Sequence, residues 1–162
     1  MFLRRLAAFW ITILFALGLR PALAQSVFEL SVDDLNGEST ALSQYTGKPL
    51  VVNFWATWCP PCVEEMPDLE ALSQSHTDVQ FVGLAIDTQR NVKRFLQEIP
   101  VSYDLYVPGH SGVKHMRALG NPKGGLPFTL VISADGTVVH QILGQIDKKD
   151  LDSKINNLKK TP

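Results

Sequence analysis

The chain has 162 residues, 45% hydrophobic and 19% charged, with 15 basic and 16 acidic side chains and a formal net charge of −1. That length suits one domain whose core needs no disulfide staples, and the composition excludes a disordered, collagen-like or low-complexity chain. A slight acidic excess gives no electrostatic basis for binding nucleic acid or an anionic membrane.

The first element in chain order is MFLRRLAAFWITILFALGLRPALAQ, which combines Arg4 and Arg5, an uncharged apolar run from Leu6 to Leu19, and Ala22-Leu23-Ala24. A basic start, a short apolar run and a small-x-small site read as a secretory signal peptide over 1–24, leaving 25–162 as one domain. The apolar run of 14 residues falls short of the roughly 20 that span a bilayer, which makes an uncleaved membrane anchor the alternative. The arginine pair alone is a weak match to twin-arginine export. Residues 1–24 carry three arginines and no acid, so the remainder holds 12 basic and 16 acidic side chains, a net charge near −4. Export, with the periplasm as the expected compartment, puts the chain where disulfides form and persist.

Val27 to Leu30 and Leu42 to Tyr45 read as additions before the main fold. Pro49-Leu50-Val51-Val52-Asn53-Phe54-Trp55-Ala56 is apolar, β-branched and aromatic, and predicts a buried central strand. Cys59-Pro60-Pro61-Cys62 then opens a helix with Val63, Met66, Leu69 and Leu72 at helical spacing, Pro60 at its first position and Pro67 as a kink. Gln80 to Ile86 predicts a second buried strand ending at Asp87, and Arg90 to Gln97 a second helix, so the first half is a parallel βαβ unit. Pro100 to Gly125 reads as loop-rich around a short helix at Val113 to Leu119. Thr129 to Ser133 and Thr137 to Leu143, joined through Asp135-Gly136, predict an antiparallel hairpin. A last helix starts within Asp147-Lys148-Lys149-Asp150 and runs through Leu151, Ile155 and Leu158. The fold class is α/β: a mixed central sheet, parallel βαβ plus antiparallel hairpin, flanked by helices.

The two cysteines are the only ones in the chain, and they sit where a buried strand meets a helix. There the helix end favours thiolate, so Cys59 reads as the nucleophile and Cys62, one turn in, as the resolving thiol. Pro60 and Pro61 lack N–H groups and leave the Cys62 amide as the local donor to the Cys59 sulfur, which points to moderate thiolate stabilisation and a pair biased toward donating electrons. An inert clip and a zinc site remain as other readings. The clip closes too small a loop to stabilise much, and His110 and His115 lie too far from Cys62 for a zinc finger. No metal is expected. Thr57 approaches the site, but Ala56 stands where a peroxiredoxin would want threonine.

NFWATWCPPCVEEMP resembles the active-site segment of the thioredoxin superfamily, specifically its exported TlpA/ResA-like thiol–disulfide oxidoreductases, and the likeness runs from about Val27 to Leu158. Gly125-Leu126-Pro127-Phe128-Thr129 resembles that family's cis-proline loop. The resemblance implies a thioredoxin-like fold, a cis Leu126-Pro127 bond, substrate pairing at the Leu126 backbone in the manner of an added strand, and an apolar docking surface on Trp58. Thioredoxin itself carries aspartate where this chain has Asn53, which cannot accept a proton. The candidates for proton relay are therefore Asp87 first and Glu65 second, each with a solvated structural role as the plainer reading.

The same resemblance implies an exported reductase of protein disulfides, monomeric, with no cofactor beyond a redox-active Cys59–Cys62 disulfide. A membrane electron donor of the DsbD/CcdA type would restore the dithiol. Cytochrome c and copper-site maturation are the expected settings. A disulfide-introducing oxidant and a Cu(I)-binding chaperone using the same cysteines are the alternatives.

Overall fold

The computed structural model describes residues 26–158, so the signal peptide expected over 1–24 lies outside the described residues. Two short strands open the fold, β1 (Ser31–Asp33) and β2 (Ser39–Ala41), paired antiparallel and framed by single 3-10 turns at Val27–Glu29 and Leu42–Tyr45. Next come β3 (Leu50–Trp55), α1 (Pro60–Ser75), β4 (Gln80–Ala85) and α2 (Gln89–Glu98), in the strand and helix order the apolar periodicity predicts. After β5 (Asp104–Tyr106) and α3 (Ser111–Ala118), the hairpin of β6 (Phe128–Ile132) and β7 (Val138–Leu143) leads to α4 (Lys148–Leu158).

The main sheet has the order β5-β4-β3-β6-β7, with β3, β4 and β5 parallel and β6 antiparallel to both of its neighbours. Every residue of β3 is buried because helices cover both sheet faces. Successive side chains alternate between faces. Val51 and Trp55 join a core with α1, α2 and α4, while Leu50, Val52 and Phe54 join a second core that includes Met116 of α3. Asn53 lies between Val51 and Trp55 in this alternation, so it is aimed into the α1 side of the core although it is polar. In β4, a methyl at Gly83 would collide with the Leu105 side chain and stand 3.1 Å from Trp55 Nε1, so only glycine lets the two close over the strand.

Two sequence expectations are corrected. The Pro100 to Gly125 segment holds β5 as well as a helix, and that helix begins at Ser111, two residues ahead of Val113. In α1 the buried set is Cys62, Glu65, Met66, Leu69 and Leu72, with Val63 only half-buried. Pro67 lies inside the helix as expected; it is exposed and deprives only the Val63 carbonyl of its partner. His76, at the end of α1, is buried and bonds Asp152 of α4 through Nε2 at 2.6 Å, which pins the far end of the active-site helix.

Candidate active site

Cys59 occupies the N-cap of α1 with extended backbone, and Pro60 and Pro61 fill the first two helical positions. The cysteines form a disulfide with Cα atoms 5.3 Å apart; Cys62 is fully buried and Cys59 6% exposed. The Cys59 carbonyl accepts the Val63 amide at 3.1 Å, but its side chain accepts no capping bond. The sulfur thus sits at the positive end of the helix with two of the first three amide donors removed by proline.

Trp58, next to Cys59, is 66% exposed and stands at a cleft of about 490 Å³ lined also by Asp33, Ile86, Asp87, Val107 and His110. On the other flank the Leu126-Pro127 bond is cis, Pro127 is buried, and the half-buried Leu126 packs against the core that holds both cysteines. The loop is tied down on both sides. The Asn121 side chain donates to the Gly125 carbonyl at 2.7 Å and accepts its amide at 3.2 Å, and the Pro127 carbonyl accepts the Gly144 amide at 2.9 Å. Trp55 and Phe54 are wholly buried.

The two carboxylates have opposite environments. Burial acts to raise the Asp87 carboxyl, but bonds from Thr57, Asn91 and Thr88 outweigh it and hold it below the usual range. Its Oδ2 accepts the Thr57 amide at 3.0 Å and the Thr57 hydroxyl at 2.6 Å; its Oδ1 accepts the Thr88 amide and the Asn91 side chain. A carboxylate so engaged is a brace for the turn before Cys59 and a poor proton acceptor at neutral pH. In Asp87→Asn the pH–rate profile of disulfide exchange is therefore expected to keep its neutral inflection. Stability should fall by about 1–2 kcal/mol in denaturant titration as charge-assisted bonds weaken.

Glu65 reverses the sequence expectation, because it is completely buried rather than solvated. Its Oε1 accepts the Asn53 side-chain N–H at 2.7 Å and its Oε2 the Ile146 amide at 2.9 Å. Burial pushes its carboxyl up to about 7, with the Ile146 and Asn53 N–H groups acting against the rise. It lies one turn beyond Cys62 on the same face of α1. Tyr103, whose hydroxyl donates to Met66 Sδ at 3.3 Å, is raised by burial and by the charges of Glu70 and Glu65. Among the described residues no group of three or more His, Cys, Asp or Glu side chains is placed to hold a metal.

The redoxin family profile matches residues 22–159. The chain belongs to the redoxin family. The thiol-disulfide oxidoreductase ResA of Bacillus thuringiensis is 32% identical to this redoxin over 130 residues, covering 78% of this chain and 73% of that one. Among solved structures, the thioredoxin-related protein of Neisseria meningitidis serogroup B superposes with a TM-score of 0.72 at 30% identity, over 80% of this chain and 99% of that one. The dsbF protein of MTB gives a TM-score of 0.72 at 25% identity, over 83% and 98%. The fold is thioredoxin-like, and this redoxin is a TlpA/ResA-like thiol–disulfide oxidoreductase carrying a Cys59–Cys62 disulfide.

Sequence reasoning placed the cysteines, Trp58 and the Leu126-Pro127 loop but missed the partners of Glu65. Asn53 from β3 and Ile146 from the loop before α4 converge on it, and Thr129 of β6 bonds the Asn53 side chain behind them. The one signal available was Asn53 itself, a polar residue on the helix-facing side of an otherwise apolar strand.

Proposed function

We propose that this redoxin is an exported reductase of protein disulfides. The observation that carries the reading is the Cys59 side chain at a helix N-terminus, where it accepts no capping bond and Pro60 and Pro61 remove two of the first three amide donors. A less stabilised thiolate is a poorer leaving group and a better electron donor. In the reductive cycle the Cys59 thiolate attacks one sulfur of the substrate disulfide, expelling the other as thiolate and forming a mixed disulfide. Cys62 then attacks the Cys59 sulfur, its proton passing to the Glu65 carboxylate, and the second substrate thiolate leaves. The substrate gains two electrons and the enzyme ends as the Cys59–Cys62 disulfide, with no cofactor needed.

Trp58 supplies apolar surface to the substrate chain on one side of Cys59, and the Leu126 backbone pairs with it on the other. Residues 1–24 direct export as a cleaved signal, so the mature chain starts at Gln25 in the periplasm as a monomer. A membrane donor of the DsbD/CcdA type returns the electrons there, and cytochrome c or copper-site maturation supplies the substrates. No helix among the described residues is long and apolar enough to cross a membrane.

The dithiol form should reduce insulin disulfides and a small aromatic disulfide. Trp58→Ala should lower kcat/KM on insulin by roughly tenfold, the scale of a lost aromatic anchor, and leave the small disulfide nearly unchanged. Stoichiometric Cu(I) binding with no insulin reduction would replace the reductase reading by that of a copper chaperone.

A further inference from the structure

The Asn53 side chain is 2% exposed and has committed both its N–H groups, one to Glu65 Oε1 at 2.7 Å and one to Thr129 Oγ1 at 3.0 Å. Its Oδ1 is buried and has no hydrogen-bond partner. An amide in a core normally pairs its oxygen, and leaving that oxygen unpaired carries a cost. Turning the amide over would pair Oδ1 with Thr129 but strand the N–H groups and take a donor from Glu65. The orientation present faces Glu65 with a donor only, and Ile146 meets the other carboxylate oxygen with a second donor at 2.9 Å. Two donors favour the carboxylate and offer no acceptor to a carboxylic O–H.

We propose that Asn53 and Thr129 are a positioning pair for Glu65: the Thr129 hydroxyl, by accepting one Asn53 N–H, holds the amide in place so that its other N–H meets the carboxylate, and this sets the proton affinity of the buried acid. The inference deepens the reductase reading, in which Glu65 receives the Cys62 proton, but the pair acts on Glu65 whether or not that transfer occurs. The other groups around Glu65 do not supply this effect. Tyr103 is the titratable side chain that interacts with it from the segment before β5, and it is held neutral. Cys62 on α1 is locked in the disulfide of the oxidised protein. Asp147, next to Ile146, is turned to the Asp150 amide at 2.8 Å.

The test is a titration of the Glu65 carboxyl carbon by NMR in the oxidised full-length protein, assigned through Glu65→Gln. In Asn53→Leu the midpoint should move upward by about one pH unit or more, the scale of a charge-assisted hydrogen bond. Thr129→Val should move it the same way by less, and Thr129→Ser should restore the wild-type value. An unmoved midpoint in Thr129→Val, which keeps the shape of the side chain, overturns the proposal even where Asn53→Leu does not fold. The pH profile of mixed-disulfide resolution, followed in the same variants, separates the two readings. A profile that moves with the midpoint supports both, whereas a moved midpoint with an unmoved profile upholds the pair and removes Glu65 as the acceptor of the Cys62 proton.

Discussion

In Cys62→Ser, turnover of protein disulfides is expected to fall to background while substrate accumulates on Cys59 as a mixed disulfide, visible as a shifted band on gels run without reductant. The asymmetry follows from position. Cys59 ends the loop at the helix N-terminus beside exposed Trp58, within reach of an incoming chain, whereas Cys62 is fully buried one turn in. In the proposed cycle attack on a substrate therefore needs Cys59, and release needs Cys62. In Cys59→Ser both turnover and adduct should vanish, because the remaining thiol has no exposed face. Adducts of comparable yield from the two variants would mean that either sulfur can meet substrate, and the assignment of roles would be wrong.

The second large effect is expected in Glu65→Gln. A buried thiol gives up its proton only to a nearby base. Glu65, raised by burial to about 7, changes between base and acid across neutral pH. The resolution rate of the wild type should rise through an inflection near that value, and Glu65→Gln should lose the inflection and slow by roughly 10²-fold at neutral pH. Stability should change with the opposite sign. A carboxyl raised on folding from its ordinary value of 4.5 favours the folded state below that value, and the contribution is lost as pH rises through about 7. Denaturant titrations should thus show the wild type losing ground to Glu65→Gln between about pH 4.5 and about pH 7 and little further loss above that. A stability difference independent of pH would show that the acid is not titrating in the folded protein.

Much of this molecule was legible because its signals are local. The run before the cysteines, the helical spacing after them, the Asp135-Gly136 turn and the cis-proline segment each lie within a few residues of the feature they specify. β5 escaped because three residues are too few to display a period. Glu65 was misjudged because a glutamate in the second turn of an exposed-looking helix start reads as solvated. Its burial depends on Asn53, 12 residues away, and Ile146, 81 residues away. No local pattern carries that information. The fold creates the acid's environment by bringing α1 over the centre of the sheet. Asp87 shows the converse, since its strand-end position matches the expectation while its bonds to Thr57 and Asn91 make it a brace.

In the proposed cycle the dithiol gives electrons to substrates, because Pro60 and Pro61 leave only the Cys62 amide as a local donor to the Cys59 sulfur. The equilibrium reduction potential of Cys59–Cys62, measured against a glutathione or thioredoxin couple, tests it most directly. A value near or below that of thioredoxin, about −270 mV, is the predicted result, and one near that of DsbA, about −120 mV, would contradict it and make the protein an oxidant.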